Sequence, residues 1–111
     1  MIKVTDKYTW FRTEVFREPN GFKVEYEEIN EVPFIHFTFL TKKVTPSLLK
    51  MLKILDNEIC EVLYEEGFDK LFSYTGLNNK SVIKLAKMLN YKIFKKTEDQ
   101  VLLVKSLVEE R

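Results

Sequence analysis

Three observations predict a mixed α/β fold in the order β-β-β-α-β-α-β-β, with the helices packed on a mixed sheet. Residues 22–29 alternate apolar and polar side chains with the period of a strand. Residues 46–63 carry apolar side chains at steps of four and three, the period of a helix. From Phe68 to Ser106, short apolar runs are separated by turn residues. A length of 111 residues is that of one domain, expected to span 1–111 without a linker or repeat. With 45% hydrophobic residues the chain can close a core, which excludes a disordered tail.

The first strand is expected over residues 7–17 (KYTWFRTEVFR), which are dense in aromatic and β-branched side chains. Glu18-Pro19-Asn20-Gly21 then reads as a turn, because Pro fixes φ while Asn and Gly accept positive φ. In the next strand Phe22, Val24, Tyr26 and Glu28 face one way and Lys23, Glu25 and Glu27 the other, a half-buried partner for the first. Residues 33–41 (PFIHFTFLT) are apolar at nearly every position, as in a central strand covered on both faces.

Thr45-Pro46 opens a helix expected over 45–66. Thr45 serves as N-cap, and Pro46 takes the first helical position, where its missing N–H is no loss. The stripe Leu48, Leu52, Leu55, Ile59 and Val62, with Leu63 beside it, is expected to pack on the sheet. Gly67 ends the helix where a left-handed residue is needed. Phe68–Tyr74 reads as a strand and residues 75–79 as a loop. A second helix over 80–89 is expected to be capped by Asn79, with Val82, Ile83, Leu85, Ala86 and Leu89 facing inward. Asn90 suits a left-handed C-terminal position. Strands over 91–96 and 100–106 are joined through Thr97-Glu98-Asp99, and Tyr91 and Phe94 alternate as core residues do.

Charge and composition exclude several functions. Eighteen basic and seventeen acidic residues leave a net charge of +1, so no polyanionic partner is advertised and nucleic acid is not expected. One Cys and one His exclude a disulfide scaffold and a Cys- or His-rich metal site, and no metal is expected. Three glycines leave no phosphate-binding loop of the P-loop or dinucleotide type. The opening MIKVTDKYTW has no apolar signal region, and Pro33–Leu40 is far shorter than the roughly 20 residues that span a bilayer. No membrane partner is expected; the cytoplasm, or a particle assembled there, is.

The element order resembles the C-terminal part of the GCN5-related N-acetyltransferase (GNAT) family over about residues 33–106. The pieces are Phe72-Ser73-Tyr74, Asn78-Asn79, Ser81–Ala86 and Leu89-Asn90-Tyr91. The resemblance implies a long helix whose N-terminus points at coenzyme A pyrophosphate, with Asn78 or Asn79 near the cofactor. The departures are specific. Where the family carries a basic residue and glycines before that helix, this chain has Lys43-Val44-Thr45-Pro46-Ser47-Leu48. Pro46 has no N–H to donate and Leu48 adds bulk, which leaves Lys42 and Lys43 as sources of charge alone. The family's frequent acid, a Tyr in the second helix, falls at Ala86. Helices that shape the acceptor cleft in full-length members have no counterpart in the expected elements.

Two functions compete on these residues. The first is a non-catalytic, GNAT-like interaction or structural protein without a cofactor, similar to small phage-encoded members, including virion components. Its partner would be another protein or a second copy, met through Trp10 or Phe11 and through Lys80, Lys84 and Lys87, which share one helical face. The alternative is a minimal acetyl-CoA-dependent N-acyltransferase in which Lys42, Lys43, Asn78 and Asn79 line the cofactor. No catalytic residue is assigned. His36 reads as a sheet-face histidine bonded to a neighbour and Cys60 as an apolar packing residue.

Overall fold

The computed structural model of the chain describes residues 12–108. The elements are β1 (Thr13–Glu18), β2 (Phe22–Ile29), β3 (Val32–Phe39), α1 (Pro46–Glu65), β4 (Lys70–Gly76), α2 (Lys80–Met88), β5 (Lys92–Lys96) and β6 (Gln100–Ser106). They follow the expected order. One sheet holds all six described strands as β1-β2-β3-β4-β6-β5, with β3 and β4 parallel and every other pair antiparallel. Residues 7–11 of the expected first strand, Trp10 and Phe11 among them, lie outside the described residues.

One face of the sheet carries the core. Phe22, Val24, Ile35, Phe37, Leu71, Val101 and Leu103 are buried there against Leu52 and Leu63 of α1 and Leu85 and Ala86 of α2. The alternation in β2 and the register Glu27↔Phe34, Glu25↔His36 put Glu27 and His36 on the opposite face, where Phe72 and Tyr74 join them. β3 is therefore not closed over on both sides: Phe34 is half-buried and Thr38 exposed.

α1 starts as its sequence dictates. The Thr45 hydroxyl accepts from Leu48 N at 3.2 Å, and Pro46 occupies the first helical position. Gly67 sits at φ +102°, the left-handed exit that only glycine adopts without strain. The inward stripe is corrected at one end. Leu52 and Leu63 are fully buried with Asp56 between them, Leu55 and Ile59 are partly covered, and Val62 is 49% exposed. The helical period of 3.6 drifts off a strict 4-3-4-3 count, which turns Val62 to the rim and Leu63 inward.

One turn expectation and one core expectation are also corrected. Neither Asn20 nor Gly21 takes positive φ. Gly21 is needed instead for close approach, since a Cβ there would lie 2.6 Å from a Leu48 methyl. Asn79 does occupy the N-cap position of α2, where its backbone carbonyl accepts from Ile83 N at 3.1 Å, but its side chain makes no capping bond; its Nδ2 donates to Thr75 Oγ1 at 3.1 Å. Asn90 does take the left-handed form, at φ 72°. Phe94 is not core: a bulge between Ile93 and Lys95 on the edge strand leaves it 60% exposed, whereas Tyr91 is buried.

The β2–β3 hairpin turns through Asn30 and Glu31 at φ 51° and 66°, the two positive values a type I′ turn requires. Glutamate is a poor choice at such a position, where a left-handed L-residue costs roughly 1–2 kcal/mol. Glu31→Gly is expected to raise stability by up to about 1 kcal/mol after the entropy glycine adds to the unfolded chain. The denaturation midpoint should rise with an unchanged slope. A lower midpoint would mean that the Glu31 side chain contributes more than its backbone costs.

Candidate functional site

The sheet face opposite the helices carries a buried polar cluster. Glu27 is 2% exposed and His36 6% exposed. They are diagonal neighbours across the antiparallel β2–β3 pair, which brings His36 Nε2 to 2.6 Å from Glu27 Oε1. The Tyr74 hydroxyl, carried by β4, donates to the same Oε1 at 2.8 Å, and Arg12 Nη2 donates to the Tyr74 oxygen at 2.8 Å. Arg12 also lies 3.5 Å from Glu27 Oε1. The Tyr74 ring meets the His36 ring edge-on at 4.6 Å and Phe34 at 5.7 Å, so the cluster is framed by aromatic side chains.

The electrostatics assign protons within this cluster. Burial alone would push the Glu27 carboxyl up, but the hydrogen bonds from Tyr74 and His36 and the nearby Arg12 charge outweigh it and hold the carboxyl below its ordinary range. Burial, with help from Arg12, pushes the His36 imidazole below its ordinary value against the pull of Glu27. Tyr74 is pushed up by burial and by its bond to Glu27, so it stays a phenol. Near neutral pH the set is an ionised Glu27 beside a neutral His36. The 2.6 Å contact is then an Nε2–H donated to the carboxylate, which leaves the lone pair on Nδ1. Among the described residues nothing bonds Nδ1. A neutral imidazole held from behind by a carboxylate is the arrangement of a general base.

The cluster sits beside an interruption in the sheet. The parallel β3–β4 pair is registered at one position, Phe34↔Phe72, although the strands are eight and seven residues long. Because these strands run parallel, both C-terminal ends reach the same end of the sheet. The loop with Lys42 and Lys43 follows one and the loop with Asn78 and Asn79 follows the other. All four residues are exposed. The topology thus puts both loops expected to line a cofactor at the same end of the sheet. At the start of α1 the backbone offers little to an anion: Pro46 lacks an N–H, Leu48 N is taken by Thr45, and Lys43 N donates to Thr41 Oγ1 at 3.2 Å.

This architecture matches solved structures. The chain superposes on the N-acetyltransferase PseH of Campylobacter jejuni with a TM-score of 0.55 at 18% identity, over 78% of this chain and 59% of that one. It has a GNAT fold. PseH in complex with acetyl coenzyme A aligns with a TM-score of 0.48 at 17% identity, over 78% of this chain and 68% of that one. The chain spans about three fifths of the length of the first PseH chain. No protein-family model and no curated protein matches the sequence.

Within the GNAT fold the remaining sequence candidates are dispersed. Lys80, Lys84 and Lys87 are exposed along α2, away from the buried cluster. Cys60 packs in α1, and burial pushes its thiol up to about 11, out of reach of nucleophilic use near neutrality. No group of three His, Cys, Asp or Glu among the described residues is placed to hold a metal. No described helix is long and apolar enough to cross a membrane. Sequence reasoning missed Glu27, Tyr74 and Arg12. The alternation put Glu27 on one face with Lys23 and Glu25; what it lacked was the hairpin register, set by the Asn30-Glu31 turn, which puts His36 on that face.

Proposed function

We propose that this GNAT-fold chain is an acyl-CoA-dependent N-acyltransferase in which His36 is the base. One observation carries the reading: the buried Glu27–His36 pair, braced by Tyr74 and Arg12, beside the interrupted β3–β4 ladder. Acetyl-CoA is here a substrate. Backbone groups left by the interrupted ladder suit its extended arm, while Lys42 and Lys43 supply charge to its phosphates. Thr45 and Pro46 close much of the helix N-terminus, so the phosphates are held by point charges worth about 1 kcal/mol or less each. The binding is accordingly modest. His36 Nδ1 takes the proton released as the acceptor amine attacks the thioester carbonyl, and Glu27 steadies the imidazolium that forms. The C–S bond of the tetrahedral intermediate then breaks, and coenzyme A leaves as a thiolate that takes its proton from water. Arg12 and Tyr74 keep Glu27 in place and ionised. In this reading the chain works in the cytoplasm.

The expected result is saturable binding of acetyl-CoA by calorimetry, with a dissociation constant between about 1 μM and 1 mM, followed by acetyl transfer to some member of a panel of primary amines. The closed helix start favours a second reading, a non-catalytic interaction or structural module such as a virion component. Absence of saturable heat at millimolar acetyl-CoA would sink the acyltransferase and leave that module standing.

A further inference from the structure

The outer face of α1 has the properties of an interface. Ile54, Val62 and Met51 are 52%, 49% and 38% exposed and fall along one side of the helix. Their stripe runs into an apolar groove of about 250 Å³ between α1 and the first hairpin, lined by Val15, Tyr26, Ile35 and Ile59 beside Val62. Apolar surface continuous with a groove is more than scattered exposure.

The charges around it are sorted by end. Lys50 flanks the stripe in the first half of α1, and Glu58, Glu61 and Glu65 stand in the second, while Lys53 lies half a turn round from Val62 and faces away. All five are exposed, and none forms an ion pair among the described residues. This order opposes the helix dipole, which favours acids at the N-terminus and bases at the C-terminus; the first turn has no acid and the last no base. Glu61 and Glu65, four apart, also repel each other. Such a gradient disfavours the isolated helix and is neutralised by the same helix running the other way. Antiparallel pairing sets Lys50 against Glu61, Met51 against Val62 at the mouth of the groove, and Ile54 beside Glu58. A two-fold axis makes each contact occur twice and also opposes the two dipoles.

We propose that a second copy of this chain docks on this face, forming a homodimer through antiparallel α1 helices. Twenty residues give a contact about 30 Å long, small for a permanent interface, so association is expected in the micromolar range, about 10–100 μM. Sedimentation of the full chain from about 1 to 500 μM should show a monomer–dimer equilibrium across that range. The variants Lys50→Glu and Glu61→Lys/Glu65→Lys should each sediment as monomers. Mixed one to one, they should dimerise, because each then supplies what the other lacks. The three positions are exposed, so the core is untouched, and unchanged circular dichroism confirms folding. A wild-type monomer at every concentration, a dimer undiminished in both variants, or a mixture that stays monomeric would each overturn the proposal.

Discussion

Asp56→Ala is expected to lower stability by about 3–5 kcal/mol, because it strips the carboxylate that accepts from the buried Tyr91 hydroxyl and the largely buried Lys105 ammonium. Asp56 is fully buried in the middle of α1. The Tyr91 hydroxyl donates to its Oδ1 at 2.9 Å and Lys105 Nζ to its Oδ2 at 2.6 Å. The Lys105 ammonium also lies 5.4 Å from the centre of the Tyr91 ring. One carboxylate therefore ties α1 to β6 and to the residue that leads into β5. Burial, reinforced by the Asp56 charge, pushes the Tyr91 phenol well above its ordinary value, which keeps it a donor. Removing the carboxylate leaves Lys105 charged with 13% of its side chain exposed and the Tyr91 hydroxyl unpaired. Asp56→Asn keeps an acceptor for Tyr91 and should cost less. Asp56→Leu combined with Lys105→Met removes both charges at similar volume and should recover most of the loss, since a buried pair repays its desolvation incompletely. Urea midpoints of the three variants decide it: an Asp56→Ala loss under about 1 kcal/mol would mean that the pair is solvated and the helix docks by apolar contact alone.

That tie was illegible in the sequence for a definite reason. Asp56 lies within an otherwise apolar inward face, and periodicity counts apolar positions, so a buried charge registers as a gap. Its partner is 49 residues away on a strand whose inward residues had to be placed first. The legible elements were those with local causes. Thr45-Pro46 marked the start of α1, Gly67 its end, and Asn90 the end of α2, because capping and positive φ depend on residues within one turn. The second strand's alternation survived intact, Glu27 included. What alternation left open was how far that second face is covered. Glu27 is buried because His36, Tyr74 and Arg12 converge on it from three other segments. The sheet-face histidine bonded to a neighbour was readable; the identity of the neighbour required the register. The loops bearing Lys42, Lys43, Asn78 and Asn79 follow the same ends of two neighbouring strands because β3 and β4 are parallel, a pairing that strand periodicity does not contain.

His36→Gln is expected to lower the acetyl-transfer rate by about 10²–10⁴-fold, while acetyl-CoA binds as before. Glutamine can still donate to Glu27, so the cluster keeps its shape, but it offers no lone pair of comparable basicity at the position of Nδ1. The pH profile separates a base from a packing residue. Burial first, and Arg12 second, hold the His36 imidazole below 6.5. The wild-type rate should therefore fall on the acid side with a midpoint below 6.5, and the variant should lack that limb. Stability follows the same sign. A histidine with a depressed folded value contributes stability that is fully present above its unfolded value and is lost as pH falls through the folded one. Glu27, held below 4.5, does the same in a lower window. The variant should lose only the upper of these two acid transitions. Glu27→Gln supplies the second arm. Its carboxylate raises the imidazole value, so its removal should carry the acid limb of the rate to still lower pH without abolishing the limb. A His36→Gln protein that folds and transfers acetyl groups at the wild-type rate would remove the base from the mechanism. The buried pair would then be a structural hydrogen bond and nothing more.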